Sequence, residues 1–444
     1  MVKVITYGTY DLLHHGHVRL LERAKALGDY LIVGVTADDF DKTRGKINVK
    51  QTLIERIEAV RATGLADEII VEEYEGQKID DIKRLGVDIF TVGSDWVGKF
   101  DYLNEYCKVV YLDRTKGISS TELRSKERTI KLGLVGETKD TLKFFKESRY
   151  VNGLDVTYMC THNDKLIDAL KNEEILVTDS FDNLLDNVDA VYIHSEVKEH
   201  YEQIKKSLSK GIHVLCESPV SFSKESCKEL FGLANKNKCI LMESIKTAYS
   251  TAFNRLVLLV KSGRIGEVVS VESTCTSLAD LMAGGDIRKK RSSICAWGPV
   301  ALLPVFEVLG TEYESIRIVS KMSDERDDFD LFSKIEFIYD KAMATSTVGK
   351  GVKSEGDLVI SGTKGYVYVP APWWKTDYFE IRYEDQNENK RYYYQLDGEG
   401  IRYELVSFLK AIQSEYSASN IDEKVSLAIC EVMEAFYSDK KILI

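Results

Sequence analysis

Two histidines near the start of the chain have the spacing of a phosphate-binding device. The stretch His14-His15-Gly16-His17 follows a short loop, and from Val18 onward apolar residues recur at helical spacing. His14 and His17 therefore stand at the predicted start of a helix, where N–H groups and the helix dipole favour anions. We expect both imidazoles to donate hydrogen bonds to phosphate oxygens. A zinc site of His14, His15 and His17 is the alternative, but the stretch offers no cysteine partner.

A second group of residues that suits anions lies at 114–121. Arg114 is followed by a turn at Gly117 and by the hydroxyls of Ser119, Ser120 and Thr121, and a charged helical pattern comes next. Hydroxyls and N–H groups at a helix start, beside an arginine, bind anions. Helix capping alone would explain the hydroxyl run, but it would not explain Arg114 and Gly117.

Five short runs of β-branched and aromatic residues must position these groups. They lie at 4–7, 30–35, 67–71, 89–92 and 109–112, and helix-like segments separate most of them. This alternation predicts an α/β fold with a parallel sheet, in which ligands bind beyond the carboxyl ends of the strands. The loop that ends in Trp96 falls at that edge. Trp96 would pack against a base or substrate, or it would be a structural tryptophan.

A cluster of cations precedes the next predicted helix and consists of Lys42, Arg44, Lys46 and Lys50. Such runs usually form a solvated surface. The functional alternative is a lid whose lysines reach a bound triphosphate.

Three stretches within the first 125 residues resemble, in the right order, motifs of the bacterial glycerol-3-phosphate cytidylyltransferase family of HxGH nucleotidyltransferases. They are TYGTYDLLHHGH, GSDWVGKFDYL and RTKGISST. The resemblance implies a Rossmann-like domain at 1–128, with catalytic roles for His14, His17 and Arg114. It also implies nucleotide or substrate binding by a larger set of residues: Thr9, Tyr10, Asp11, Lys46, Arg56, Asp95, Trp96, Thr115, Gly117, Ser119 and Ser120. One departure is that the family usually has a second arginine seven or eight residues after Arg56, where this chain has Thr63 and Gly64.

The implied reaction transfers CMP from CTP to a polyol phosphate, and glycerol 3-phosphate is the first candidate. A phosphate oxygen of the substrate attacks the α-phosphorus in line and pyrophosphate leaves, so positioning and charge stabilisation dominate. The product, a CDP-alditol, would serve teichoic-acid or capsule-type polymer synthesis. The resemblance further implies Mg²⁺ bridging the phosphates, and the sequence assigns no metal ligand beyond the neighbourhood of Asp11.

The composition limits which classes of protein and of partner are possible. The 444 residues require two or three domains, and the 44% hydrophobic content indicates a globular protein. The net charge of −11 argues against nucleic acid or an anionic membrane as the main partner. No stretch has the layout of a signal peptide or a membrane span, and the eight scattered cysteines suit a reducing compartment, so we expect a cytoplasmic protein without membrane insertion.

A second α/β pattern follows the charged stretch 122–130, so we predict a boundary near residue 128. Strands and helices alternate to about residue 247, which predicts a Rossmann domain at 129–247. The rest predicts an α+β domain at 248–444 with a large, mostly antiparallel sheet and two closing helices. The dinucleotide fingerprint G-x-G-x-x-G is degenerate, because Thr138 and Thr141 follow Gly136 at the other two marked positions.

The segments SGRIGEV, SGTKGYVYVPAPWW and GIRYELVSFLKAI resemble the glucose–fructose oxidoreductase and inositol dehydrogenase (Gfo/Idh/MocA) family. That family carries a Glu-Lys-Pro motif and a later Asp and His. Here the motif is Glu217-Ser218-Pro219, while Leu302 and Phe306 replace the acid and the imidazole, and neither can carry a proton. Lys246 is the alternative proton carrier. Together with the two threonines, these replacements predict weak or absent NAD(P) binding.

Three hypotheses follow. The first is a cytidylyltransferase with a catalytically silent, structural or ligand-sensing second half. The second is a bifunctional enzyme that also reduces a sugar or ketose precursor. The third is a scaffold with both sites inactive, against which the intact histidine motif argues. We favour the first, and because related domains of both kinds commonly pair, we expect a homodimer or a higher homo-oligomer.

Overall fold

The computed structural model of the protein describes residues 1–38, 49–73, 76–113, 129–278, 291–324, 326–394, 396–414, 421–438 and 441–443, without the side chains of residues 15, 95, 326, 327, 397 and 414. The chain forms two compact units, Met1–Thr129 and Ile130–Ile444. Both contain a parallel sheet, which confirms the predicted α/β class. The division of the second unit at residue 247 stays a prediction.

The first unit alternates strands and helices. Its elements are β1 (Lys3–Gly8), α1 (His15–Lys25), β2 (Tyr30–Thr36), α2 (Leu53–Ala62), β3 (Glu68–Glu72), α3 (Gln77–Leu85), β4 (Ile89–Gly93) and β5 (Lys108–Leu112), with 3₁₀ turns at Ser94–Trp96 and Asp101–Glu105. The strands are short and carry mostly β-branched or aromatic residues, which suit a sheet that is covered on both faces.

The five strands form one parallel sheet in the order β3-β2-β1-β4-β5. The chain moves outward from β1 to β3 and then returns to the other side of β1, so the strand order reverses between β1 and β4. Ligands of open α/β sheets bind at such a switch point. The ring of Tyr7 crosses the neighbouring strand at Gly34, where a Cβ would lie 2.2 Å from the ring, so only glycine fits there.

The second unit begins with a six-stranded parallel sheet in the order β11-β10-β9-β6-β7-β8. Its elements are β6 (Ile130–Gly136), α4 (Lys139–Ser148), β7 (Leu154–Cys160), α5 (Asp164–Leu170), β8 (Leu176–Thr178), α6 (Phe181–Leu185), β9 (Ala190–His194), α7 (Val197–Ser209), β10 (His213–Glu217), α8 (Lys224–Lys236) and β11 (Leu241–Ser244). The strand order reverses between β6 and β9, as in a doubly wound dinucleotide-binding fold.

The rest of the second unit is built on a nine-stranded mixed sheet in the order β19-β18-β17-β16-β12-β15-β14-β13-β20. Its strands are β12 (Val268–Thr276), β13 (Ser315–Ser323), β14 (Arg326–Ile338), β15 (Met343–Gly349), β16 (Leu358–Gly362), β17 (Gly365–Val369), β18 (Tyr378–Tyr383), β19 (Lys390–Tyr393) and β20 (Lys441–Leu443). Its helices are α9 (Lys246–Tyr249), α10 (Thr251–Lys261), α11 (Ser293–Leu309), α12 (Ile401–Ser414) and α13 (Glu423–Tyr437). Most neighbouring strands are antiparallel, as predicted, and the pairs β12–β15 and β13–β20 are parallel.

Across the described ranges, the helices are too short or too polar to span a lipid bilayer. All eight cysteines are free thiols, and every one except the half-buried Cys107 is buried.

Candidate active site

The two histidines predicted to bind phosphate lie together at the start of α1. His14 is the N-cap residue, and its Nδ1 accepts a hydrogen bond of 3.0 Å from the backbone N–H of Gly16. The rings of His14 and His17 stack with centroids 4.0 Å apart, and Tyr10 packs edge-on against His17. Since Nδ1 of His14 is an acceptor, the proton of its neutral imidazole lies on Nε2. That N–H is the hydrogen-bond donor of the ring.

The loop between β1 and α1 has an unusual backbone that brings its polar groups together. Tyr10 and Leu12 both have left-handed backbone conformations, with φ of 55° and 47°. Residues other than glycine rarely adopt this conformation. Between them, the buried Asp11 accepts backbone N–H bonds of 3.0 Å from Lys50 and from Gln51. Asp11 therefore ties the histidine loop to the residues that precede α2.

Arg56 is fully buried on α2 and connects the ends of two strands. Its Nη1 donates to the carbonyl oxygens of Thr9 at 2.7 Å and Thr36 at 2.8 Å, its Nε donates to Gln51, and its Nη2 pairs with Asp38. These bonds place the guanidinium behind the loop, where it fixes the positions of Thr9 and Thr36. Its predicted phosphate contact stays a prediction.

A cavity of about 80 Å³ opens at the switch point of the first sheet. Residues of β1, β2 and β4, residues that follow β1 and β4, and one residue of α3 line it: Tyr7, Gly8, Thr9, Thr36, Lys78, Phe90, Val92, Trp96 and Phe100. The predicted binding residues Thr9 and Trp96 both line it. The Trp96 ring lies 5.8 Å from that of Phe100, and the ammonium of Lys99 lies 5.0 Å from the Trp96 centroid.

Lys78 is a charged residue of this cavity that was not predicted from the sequence. It lies in the first turn of α3, only 8% exposed, with its ammonium 4.7 Å from the ring centroid of Tyr7 and 5.5 Å from that of Phe100. It pairs with Glu72, which is completely buried at the end of β3. A lysine two residues after Gly76, beyond the end of a third parallel strand, is the sequence signal that could have indicated it.

Hydrogen bonds between neighbouring side chains fix the positions of the residues around Lys78. Tyr7 donates to Asp81 at 2.9 Å, and Thr36 donates to Glu72 at 2.9 Å. Burial, together with the charge of Asp81, raises the pKa of Tyr7 well above its usual range, so the phenol stays a neutral donor. Among the described residues that line the cavity, Lys78 carries the positive charge, and aromatic and hydroxyl groups surround it.

Several predicted site residues lie outside the described part of the chain. They are Lys46, Arg114, Thr115, Gly117, Ser119 and Ser120, together with the side chain of Asp95. Their roles remain predictions from the sequence.

The described residues do not build a magnesium cage. Among them, no three His, Cys, Asp or Glu side chains converge on one point, and one oxygen of Asp11 already accepts two backbone amides.

The second unit concentrates charged groups at the carboxyl ends of β9, β10 and β11. Glu217 accepts a 3.0 Å bond from the Tyr192 hydroxyl and lies 3.5 Å from Nδ1 of His194. Burial opposes ionisation of Glu217, but the hydrogen bond and charge of His194, with Arg291 and Lys246, lower its pKa to about 2. Glu217 is therefore an ionised carboxylate near neutral pH.

Two further carboxyls of this region are buried and protonated more readily. The Ser218 hydroxyl donates a hydrogen bond to Glu243. Burial raises the pKa of the Glu243 carboxyl to about 7. Burial and the nearby Glu217 raise the pKa of Glu404, on α12, to about 8. Ser218 stands where the family carries its proton-transferring lysine, and Leu302 and Phe306 are both buried on α11.

The phosphate turn of the second unit does not fit a dinucleotide pyrophosphate. Thr138 is the N-cap of α4, and Thr141 fills the space beside Gly136, where an added Cβ would lie 2.4 Å from its hydroxyl oxygen. The first turn also contains Asp140, which repels phosphate. Thr138 stands where glycine normally lets the backbone approach the pyrophosphate, and the buried Thr141 stands where glycine normally lets the helix pack closely on the strand.

The two units of the chain match different families of known proteins. Residues 5–126 match the cytidylyltransferase-like family, and residues 133–245 match the NAD-binding Rossmann fold of the Gfo/Idh/MocA oxidoreductase family. The chain is 49% identical over 129 residues to a glycerol-3-phosphate cytidylyltransferase of Bacillus spizizenii, covering 28% of this chain and 95% of that protein. A glycerol-3-phosphate cytidylyltransferase of Staphylococcus aureus is 45% identical over 129 residues, covering 28% and 93%.

The second unit is similar in fold to solved oxidoreductases. A 3-ketoreductase from Actinomadura kijaniata, in complex with NADP and TDP-benzene, superposes with a TM-score of 0.63 at 18% identity over 71% of this chain and all of that one. A putative NADPH-dependent oxidoreductase from Desulfitobacterium hafniense gives 0.62 at 15% identity, over 71% and 97%. Both predicted resemblances are confirmed at the level of family and fold.

Proposed function

This chain belongs to the cytidylyltransferase-like family through its first unit and is a nucleotidyltransferase, and from that premise we propose that it transfers CMP from CTP to a polyol phosphate. Glycerol 3-phosphate is the first candidate, because the relatives that match 93–95% of their length are named for it. The products are a CDP-alditol, suited to teichoic-acid or capsule-type polymers, and pyrophosphate. The observation that carries the proposal is the stacked His14–His17 pair at the start of α1.

The side chains perform the transfer by positioning and charge stabilisation. A phosphate oxygen of the polyol phosphate forms a bond to the α-phosphorus of CTP, the bond to the bridging oxygen breaks, and its electron pair leaves with pyrophosphate. Nε2–H of His14 and the imidazole of His17 donate to the phosphate oxygens on which negative charge develops. Arg56 and Asp11 keep the loop in this geometry.

Lys78 is proposed to receive the phosphate of the polyol substrate. Its ammonium is held at the cavity by Glu72 and by two aromatic faces, so little side-chain entropy is lost when an anion binds. The predicted contacts of Lys46, Arg114, Thr115, Gly117, Ser119 and Ser120 belong to the same proposal.

We further propose that the second unit, divided at residue 247 into a Rossmann and an α+β domain, does not catalyse hydride transfer. The reason is that Ser218, Leu302 and Phe306 replace the family's proton-transfer groups. The alternative is a bifunctional enzyme that first reduces a ketose or sugar precursor with NAD(P)H. The fold of the NADP-bound neighbour favours that alternative, whereas the phosphate turn disfavours it. We also propose a cytoplasmic homodimer or higher homo-oligomer.

The test is a product assay. Purified protein, CTP and Mg²⁺ are incubated with glycerol, ribitol and other polyol phosphates, and pyrophosphate and CDP-alditol are quantified. We expect turnover with glycerol 3-phosphate and much less when ATP replaces CTP. No turnover of any polyol phosphate by folded protein would refute the proposal. A parallel assay with NADPH and ketose or aldose phosphates separates the silent second unit from the bifunctional alternative.

A further inference from the structure

The carboxyl edge of the second unit's parallel sheet is crossed by two charged side chains of the chain itself. In a doubly wound sheet, a dinucleotide lies along this edge, with its pyrophosphate at the first helix, its adenosine ribose beside the end of the second strand, and its other nucleotide beyond the switch point. Here those three places correspond to the start of α4, the end of β7, and the ends of β9 and β10. The side chains of Glu137 and Arg291 lie at the two outer places.

Glu137 follows the last residue of β6 and reaches the end of β7. Its carboxylate accepts a 2.9 Å bond from the Thr161 hydroxyl and bonds of 2.9 and 3.1 Å from the backbone N–H of His162. Its carbonyl oxygen accepts from the Asn163 amide at 2.8 Å. The donors at the end of β7 are therefore bonded to a carboxylate of the protein, at the place where ribose hydroxyls would be bound.

Arg291 bridges the ends of β9 and β10 on the other side of the switch point. Its guanidinium donates from Nη2 to the carbonyl oxygen of Ser195 at 2.8 Å and from Nη1 to that of Ser218 at 3.1 Å. Ser195 and Ser218 each directly follow a strand, so one side chain spans the edge that would hold the nicotinamide half. These bonds are independent of those of Glu137.

We propose that Glu137 and Arg291 are built-in occupants of the dinucleotide crevice, which close its ribose end and its nicotinamide end and allow the second unit to stand folded without NAD(P). Glu137 also repels the 2′-phosphate of NADP. The inference deepens the silent second unit of the proposed function, and it does not involve cytidylyl transfer by the first unit.

Substitution of the two residues should open the crevice. Glu137→Ala frees the amide of His162 and the hydroxyl of Thr161 as donors to a ribose or its phosphate, and Arg291→Ala clears the ends of β9 and β10. Because Thr138 also obstructs the pyrophosphate, the full test is the triple variant Glu137→Ala/Thr138→Gly/Arg291→Ala. The matched control is Arg149→Ala/Glu229→Ala, which removes an arginine and a glutamate from exposed pairs of the same unit.

The experiment titrates NADPH and NADH into the full-length protein by calorimetry and follows thermal unfolding with and without nucleotide. We expect no saturable binding and no shift of Tm for the wild type and the control. The triple variant should melt at a lower temperature and regain stability with NADPH, because a ligand at about 100 times its Kd stabilises the folded state by about 2.7 kcal/mol. Its affinity should exceed that of the wild type at least tenfold.

Micromolar binding of either nucleotide to the wild type would overturn the inference, as would a folded triple variant that gains no affinity. If the triple variant does not fold, Glu137→Ala/Thr138→Gly, which leaves the two bonds of Arg291 in place, is measured with the same expectations. CTP turnover is recorded in parallel. If the wild type binds NADPH or NADH but does not reduce a ketose or aldose phosphate, only this inference is refuted. If it binds the nucleotide and also reduces such a substrate, the proposal that the second unit is catalytically silent is refuted as well.

Discussion

Among single side chains, His17 has the most direct expected effect on rate. His17→Ala should lower cytidylyl transfer about 10²–10³-fold with the fold intact, because the transition state loses one preorganised donor. The measurement is kcat with CTP and glycerol 3-phosphate, with circular dichroism as the check on folding. The exposed His162 supplies the control, since His162→Ala should leave the rate unchanged. A near wild-type rate for His17→Ala would mean that the ring only packs against His14 and Tyr10.

Lys78 should affect binding of the polyol phosphate more than that of CTP. Lys78→Met removes a hydrogen bond to a charged group, typically about 1.5–3 kcal/mol, so KM for the polyol phosphate should rise roughly tenfold or more. Lys83→Met, an exposed lysine on the same helix, is the control. Lys78→Arg, which keeps the charge beside Glu72, separates a binding role from lost stability. An unchanged KM in both Lys78 variants would remove Lys78 from the substrate site.

The raised pKa of Glu404, about 8, makes the second unit less stable as the pH rises. Between its usual pKa near 4.5 and about 8, the folded carboxyl keeps a proton that the unfolded one releases, so the free energy of unfolding falls by up to about 1.4 kcal/mol per pH unit. Calorimetric unfolding from pH 6.5 to 8 should therefore show a decline that Glu404→Gln reduces. The exposed Glu199→Gln is the control. Identical pH dependence in wild type and Glu404→Gln would contradict the assignment.

At the scale of secondary structure, the strands were the most predictable elements. The runs predicted at 30–35 and 89–92 are strands Tyr30–Thr36 and Ile89–Gly93, because β-branched and aromatic runs between turn residues fit buried parallel strands. Helix α1 was placed three residues late, since its first turn, His15-Gly16-His17, has no apolar periodicity and begins at the His14 cap. Strand β20 was missed, because its parallel partner β13 lies more than a hundred residues earlier.

Site residues that lie close together in the sequence could be predicted, whereas residues that only the fold brings together could not. His14 and His17 are three residues apart in the sequence and could be found by their spacing. Lys78 lies on α3, after β3, and only the strand order brings it to the cavity that Thr9 and Trp96 line. The closing contacts of Glu137 and Arg291 likewise depend on which strand ends are neighbours.

Helix α2 supports the site through its first turn, where Thr52 and Glu55 form a reciprocal capping box. Thr52→Ala should lower the stability of the first unit by about 1 kcal/mol. Urea unfolding measures the loss. Thr63→Ala is the control, because it removes a hydroxyl at the other end of the helix that is not part of the capping box. CTP turnover should persist well below the transition, since Asp11 still bonds to Lys50 and Gln51. A Thr52→Ala protein as stable as wild type would show that the box contributes nothing measurable.

At the scale of the whole molecule, the first unit has a complete core of its own. Its five strands and their helices fall within Met1–Thr129, the first compact unit. A chain truncated after residue 129 should therefore be soluble, unfold cooperatively and retain CTP-dependent pyrophosphate release. A fragment that aggregates or lacks a cooperative transition would show that the second unit completes the first. A folded but inactive fragment would indicate that the second unit, or an oligomer contact within it, is needed for activity.

The four tryptophans are distributed so that the two units differ optically. Trp96 is the only tryptophan of residues 1–129 and lines the first unit's cavity, whereas Trp297, Trp373 and Trp374 belong to the second unit. The rings of Trp297 and Trp374 lie 5.0 Å apart, close enough for energy exchange, and Trp373 is fully buried. With those three replaced by phenylalanine, the emission of Trp96 becomes an intrinsic reporter of occupancy. A cytosine base or a phosphate that displaces Lys99 from its ring would then alter the fluorescence intensity without any added label.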